Sequence, residues 1–244
     1  MKYAFISDIH SNIEALEVVI EACDEAGIDR IFCLGDVIGY GADPNPCCDL
    51  IRERASVTLM GNHDAAVIGV MDTDYYYEAA REALYWTRKQ LTRENHHWLF
   101  GLPYTHQEEE FGLYHSAPIK PSGFYYVVNE SDAMKHLPVF GRLKRFNFCG
   151  HSHLTTSFLM NEQVVEELEP GSPAVGQDGH KWLINVGSVG QPRDRDARAC
   201  YGILDTETDT FKHCRLTYDI GRAADKILKA GLSEKFAKRL YSGM

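Results

Sequence analysis

Three short apolar runs near the start of the chain constrain its fold more than any other feature. Each ends on small polar residues, and helical segments separate them. The runs are 2–8 (KYAFISD), 29–35 (DRIFCLG) and 56–61 (SVTLMG). After the first, Ile13, Leu16, Val19, Ile20 and Cys23 recur with helical period, and Gly27 closes the segment. A second helix is expected from Pro46 to about Glu53. Strand and helix alternating through short joints is the pattern of parallel βαβ units. Open α/β sheets place their ligands at the carboxyl ends of such strands. Residues 72–100 read as helical and aromatic, with Tyr75, Tyr76, Tyr77, Tyr85 and Trp86 among them. From 111 onward β-like runs dominate, at 111–118, 124–129, 145–153, 156–161, 164–169 and 181–187, followed by a hairpin over 200–218 that turns at Asp205–Thr210. A helical tail, 219–244, carries Ile220, Ala223, Ala224, Ile227 and Leu228 on one face. No linker, repeat or low-complexity segment interrupts the sequence. Residues 1–244 are therefore expected to form one α/β domain with a shared active-site edge.

Composition narrows the class of partner. The 244 residues are 44% hydrophobic and 11% aromatic, enough for a substantial core. No apolar run approaches the ~18–20 residues of a membrane span, and Asp8 falls where a cleaved targeting segment would still be apolar. A formal charge of −10 disfavours long nucleic acid, which is held by an excess of Lys and Arg. A local cationic pocket is still open to a phosphate. Seven cysteines, an odd number without a CxxC pair, read as reduced core thiols of a cytoplasmic protein.

Five polar clusters sit at or just after apolar runs: Asp8-Ile9-His10, Gly35-Asp36, Gly61-Asn62-His63-Asp64, Tyr114-His115-Ser116 and Gly150-His151-Ser152-His153. Asp8 with His10, and His151 with His153, have ligand-x-ligand spacing. In an extended chain such residues share a face about 6–7 Å apart. The donors are carboxylate, imidazole and amide with no thiolate, a set suited to Mn, Fe, Zn, Ni or Co rather than calcium. Seven candidates (Asp8, His10, Asp36, Asn62, His115, His151 and His153) are too many for one tetrahedral ion. They suffice for two if one carboxylate bridges, at the ~3.5–4 Å separation of two-metal hydrolytic sites.

The ordered series D-x-H, G-D, G-N-H-D, an isolated H and G-H-x-H resembles the calcineurin-like metallophosphoesterase superfamily. GSVGQPRD (187–194) looks like the closing segment of its bacterial and archaeal phosphodiesterase-like branch. The resemblance implies a four-layer α/β/β/α sandwich, two mixed β-sheets flanked by helices, with the metals between loops at one edge. Carried over by position, it implies that Asp8, His10 and His153 hold one ion and Asn62, His115 and His151 the other. Asp36 bridges the two. It further implies that His63 faces the leaving group or a phosphate oxygen while Asp64 orients its ring. The expected chemistry is in-line attack on phosphorus by a metal-bridging hydroxide, with His63 protonating the leaving oxygen. Asp64 is expected to raise the His63 pKa toward neutrality.

Protein Ser/Thr phosphatases of that superfamily carry G-D-x-x-D-R-G and G-N-H-E. Here the corresponding stretches are Gly35-Asp-Val-Ile-Gly-Tyr-Gly41 and Gly61-Asn-His-Asp64, so a phosphate-clamping arginine is missing. Arg193 is a candidate replacement, with a surface salt bridge as its alternative. Asn12 and Tyr40 are candidate phosphate contacts, with a helix cap and a packed aromatic as theirs. Tyr75, Tyr76 or Trp86 could stack a nucleobase. The expected activity is hydrolysis of a small nucleotide-like phosphodiester or phosphoanhydride, such as a dinucleoside polyphosphate. The alternatives are a broad phosphomonoesterase and a non-catalytic metal-binding scaffold. The carboxyl-terminal helix offers a surface for a second subunit or for its own chain.

Overall fold

The three amino-terminal runs become β1 (Lys2–Ile6), β2 (Arg30–Cys33) and β3 (Ala55–Thr58), paired in parallel. Between them run α1 (Ile13–Glu25) and α2 (Pro44–Arg54). The Asn12 side chain accepts from the Ala15 amide and so starts α1, whose Leu16, Val19, Ile20 and Cys23 are buried against the sheet. Pro44 in the first turn of α2 sacrifices no helical hydrogen bond. There follow α3 (Asn62–Val67), α4 (Glu78–Gln90), α5 (Arg93–Phe100), β4 (Thr105–Gln107), β5 (Phe111–Tyr114) and α6 (Glu130–Met134). The second half supplies β6 (Phe146–Cys149), β7 (Thr155–Met160), β8 (Val165–Glu167), β9 (Ala174–Val175), β10 (Lys181–Val186), β11 (Ala199–Asp205) and β12 (Thr210–Leu216). Two helices, α7 (Ile220–Lys229) and α8 (Glu234–Ser242), close the chain. This computed structural model describes all residues 1–244.

The strands form two six-stranded mixed sheets, ordered β3-β2-β1-β11-β12-β9 and β4-β5-β6-β10-β7-β8. Phenylalanines from both fill the space between them: Phe5 stacks on Phe148 at 3.9 Å and meets Phe111 edge-on at 5.3 Å. Each such ring, fully buried, contributes about 1.5–3 kcal/mol. The outer face of the first sheet packs on α1–α3. Ala133 of α6 joins Phe158, Met160 and Leu183 on the outer face of the second. The four-layer sandwich expected from the sequence is the observed fold, with a thin fourth layer.

Two local expectations are corrected. Residues 124–129 form no strand; Phe124 is left-handed (φ 50°), and Tyr125 and Tyr126 are exposed. Their alternation belongs to a cleft wall, where Tyr126 stacks on His151 at 4.1 Å. The helical segment begins at Glu78, so Tyr75, Tyr76 and Tyr77 lie in the irregular approach to α4. Of the two surfaces left open for the carboxyl-terminal helices, the helices meet that of their own chain. Ala223, Ala224, Ile227 and Phe236 are buried with Tyr40, and Lys226 reaches Glu14 at 2.6 Å and Asp43 at 2.8 Å.

Candidate metal centre

The loops after β1, β2, β3, β5, β6 and β10 meet at one edge of the sandwich and are tied together by backbone. The Asp8 amide donates to the Gly35 carbonyl, the Ile9 and His10 amides to the Asp36 carbonyl, and the Gly190 amide to the Asp8 carbonyl. The His151 amide donates to the Asp8 carboxylate at 2.9 Å. The expectation of an extended ligand-x-ligand chain is corrected here. Asp8, His10, Asp36, His151 and His153 all have positive φ, between 50° and 68°. Each such residue costs of order 1–3 kcal/mol, strain that persists where surrounding structure enforces it for a purpose. Glycines at these joints permit close approach. A Cβ on Gly61 would overlap the Asp36 carboxylate, and one on Gly150 would overlap Ser7 and Asp8.

The seven candidate donors are brought together, and all are buried. One group contains Asp8, His10 and His153, another Asp36, His115 and His151. In the first, His10 Nε2 lies 3.1 Å from His153 Nε2, and His153 Nε2 lies 3.4 Å from Asp8 Oδ1. In the second, His115 Nε2 lies 3.4 Å from Asp36 Oδ2 and 3.2 Å from Asn62 Oδ1. The same Asp36 oxygen is 3.7 Å from His10 Nε2, so it faces both groups. Three rings are turned by backbone carbonyls: His10 Nδ1 donates to Ile38, His115 Nδ1 to Leu34 and His153 Nδ1 to Gln191. A carbonyl only accepts, so these Nδ1 atoms carry a proton; Nε2 presents a lone pair inward wherever the ring is neutral, and at His115 once a cation displaces its second proton.

Burial pushes His10 and His153 well below the usual imidazole range, so both rings are neutral. Two imidazole lone pairs then face each other at 3.1 Å, an arrangement that a shared cation relieves. Burial also lowers His151 to about 3. Burial opposes the charge of His115, yet Asp36, together with Asp8 and Asp64, raises it to about 9. Asp36 stays ionised for the same reason: burial works against it, but His115 and His63 hold it well below the usual carboxylate range. The residues fit a cluster of cations with mixed nitrogen and oxygen donors.

The other candidates divide. His63, Tyr40 and Arg193 line a cleft of about 400 Å³ that opens onto Asp36, Asn62, His151 and His153. Asn12 takes its helix-cap alternative and is not among the residues lining that cleft: its Oδ1 caps α1 and its Nδ2 donates to the Gly190 carbonyl. The Asp64 carboxylate accepts from the amides of Val37, Ile38 and Gly61, whereas His63 Nδ1 has no partner. Asp64 thus braces the loop rather than the ring, and burial lowers His63 to about 4 where a rise was expected. Tyr75 and Tyr76 border the cleft. Trp86 lies instead beside Gly231 and Leu232, outside it. Arg193 makes no surface salt bridge; it donates to Gln191 Oε1 at 2.9 Å and lies over the Tyr40 ring.

Two roles escape a reading of sequence alone. Tyr76 Oη accepts from Asn62 Nδ2 at 2.6 Å, which turns the Asn62 oxygen toward His115. Arg239, on α8, enters the cleft from the far end of the chain. A tyrosine among three carries no signal of which one orients an amide, and an arginine on an amphipathic tail reads as solvated.

A sequence model of the calcineurin-like phosphoesterase superfamily domain matches residues 1–209. The chain belongs to this superfamily and is a metal-dependent phosphoesterase. It is 39% identical to an uncharacterized protein of Methanocaldococcus jannaschii, over 98% of this chain and 97% of that one. Its fold is similar to that of a metallophosphoesterase from Sphaerobacter thermophilus, with TM-score 0.86 and 33% identity over 100% of this chain and 99% of that one. A hypothetical protein of Pyrococcus horikoshii shares the fold at TM-score 0.77 and 20% identity, over 100% and 98%. No helix is long and apolar enough to cross a membrane.

Proposed function

We propose that the edge holds two transition-metal ions and hydrolyses a small nucleotide-like phosphodiester or phosphoanhydride. Asp8, His10 and His153 would hold one ion, Asn62, His115 and His151 the other, with Asp36 between. The opposed lone pairs of His10 and His153, 3.1 Å apart, carry this reading. Bound there, the ions supply Lewis acidity, polarising phosphoryl oxygens and acidifying a water near neutral pH. The nitrogen and oxygen donors accept Mn, Fe, Co, Ni or Zn. The chain itself aligns the substrate. Arg193 brings positive charge to the cleft, Tyr40 and Tyr76 flank His63, and His63 delivers a proton to the departing oxygen. His63 is neutral in the free protein, so its proton arrives with the substrate, whose negative oxygens favour the imidazolium.

Chelator-stripped protein, with and without Mn²⁺, tests this on bis-p-nitrophenyl phosphate, p-nitrophenyl phosphate and diadenosine tetraphosphate. Metal-dependent cleavage favouring the diester or the tetraphosphate is expected. Preference for the monoester would replace the reading with a phosphomonoesterase. Inertness with both ions bound would turn it to a metal-binding scaffold.

The Tyr76 contact makes a separate prediction. Tyr76→Phe frees the Asn62 amide to rotate, and losing such a supporting bond lowers metal affinity by about 10–100-fold. Calorimetric titration should find one of two ions weakened. Unaltered binding of both would remove Tyr76 from the site's support.

A further inference from the structure

Most arginines near the site are already partnered. Arg215 takes Asp194, and Arg198 holds Asp196 at 2.6 Å. Arg193 and Arg239 are different. Neither makes a salt bridge, and both donate to the same acceptor, Gln191 Oε1, at 2.9 and 3.3 Å. Arg193 Nε is buried with no partner at all. Two guanidiniums converging on one neutral oxygen repel each other, and a buried donor left unmade is costly. Such a pair is complete only when an anion joins it. Both line the cleft that opens onto the candidate metal cluster.

The positions are fixed by the fold. Gln191 is buried; its backbone carbonyl accepts from His153 Nδ1 at 2.6 Å and its backbone amide donates to Ser188 Oγ at 2.8 Å. One residue therefore ties an imidazole of the cluster to both arginines. Helix α8 is seated by fully buried Phe236, which meets Tyr40 at 4.9 Å, and the Gly243 carbonyl beyond it accepts from the Arg195 amide at 2.7 Å. The Tyr40 ring touches both Arg193 and the cluster. Its centroid is 4.7 Å from that of His10, 4.4 Å from that of His63 and 5.6 Å from the Arg193 guanidinium carbon.

We infer that Arg193 and Arg239 form a second anion subsite, one aromatic ring outside the metal cluster, for a phosphoryl group joined to the scissile one. The inference rests on the phosphoesterase reading above and narrows its substrate class to phosphoanhydrides. Tyr40, which touches both Arg193 and His63, joins the subsite to the residue proposed to face the leaving group, so the subsite is assigned to the departing phosphate. Water adds to the scissile phosphorus, losing one proton to solvent, and the bridging P–O bond breaks. The departing phosphate keeps the electron pair, and the two guanidiniums hold its charge. Planar guanidiniums suit that task through paired hydrogen bonds.

Equilibrium binding tests the subsite without turnover. Metal-loaded wild-type protein should bind methylenediphosphonate at least tenfold more tightly than methylphosphonate in calorimetric titration. Arg239→Met should weaken the diphosphonate by about 10–100-fold and leave methylphosphonate within about twofold, as expected for loss of a charged hydrogen-bond donor. In turnover, the ratio of kcat/KM for adenosine diphosphate to that for bis-p-nitrophenyl phosphate should fall by a similar factor, and Arg239→Lys should restore part of it. Should Arg239→Met unseat α8, seen as a lowered Tm, the wild-type comparison and Arg239→Lys still decide. Equal affinity of the wild type for the two phosphonates, or equal loss of both in the variant, overturns the subsite. Failure of the wild type to hydrolyse anything with metal present overturns the phosphoesterase reading instead, because the phosphonate result stands independently of turnover.

Discussion

Asp36→Asn should empty the edge of both ions. One oxygen of Asp36 faces His115 Nε2 at 3.4 Å and His10 Nε2 at 3.7 Å, so it belongs to both groups of donors. The other oxygen accepts from the His63 amide at 2.8 Å, which prevents the carboxylate from swinging toward either group alone. An amide at this position keeps the shape and removes the negative charge between the two proposed cations. Changes to residues that merely support a ligand lower metal affinity by about 10–100-fold. Removing a charge shared by both ions should therefore exceed ~10²-fold at each. Metal analysis after gel filtration would read close to no ion per chain, and phosphoesterase activity would be lost with them. Asp8→Asn gives the contrast, because Asp8 belongs to only one group: the Asp36, His115 and His151 donors remain, and one ion should persist. Two fully retained ions in Asp36→Asn would contradict the bridging role.

The sheets and the donor set were legible because each rests on a local pattern. Apolar runs of strand length, a helical period after Asn12 and small polar residues at run ends are decided over a few residues. What the sequence did not carry is set by residues far apart in it. Arg239 and Gln191 are 48 positions apart, and only the docking of α7 and α8 on Tyr40 brings the tail into the cleft. The 124–129 run shows the converse failure. Its aromatic and β-branched residues have strand propensity, but no neighbouring edge pairs with them, and cleft contacts such as Tyr126 on His151 claim the side chains. Local spacing was also misleading about conformation. The two ligand-x-ligand pairs do converge on one cavity, yet through left-handed residues rather than a pleated strand. Asp64 is the case where position in a motif suggested a contact that backbone amides outcompete.

His63→Ala separates holding the metal from moving the proton. His63 lies close enough to His10 and Asp36 to be a third donor there, yet Asp36 meets it through the His63 backbone amide rather than the ring. Gly39, at φ +99°, presses against the imidazole: a Cβ there would lie 2.5 Å from His63 Nδ1, so the ring's place depends on that glycine. Truncation to alanine should leave both ions bound, and loss of one would make His63 a ligand. General acid catalysis contributes about 10²–10⁴-fold, so turnover should fall by that amount on substrates whose leaving oxygen needs a proton. An alkyl phosphodiester is such a substrate. A p-nitrophenolate departs unprotonated near neutral pH, and its release should slow far less. The diagnostic is thus the difference between leaving groups rather than the loss itself. A uniform loss across both would assign His63 to a phosphate oxygen in place of the departing one, because a group that only orients phosphate has no means of sensing what leaves.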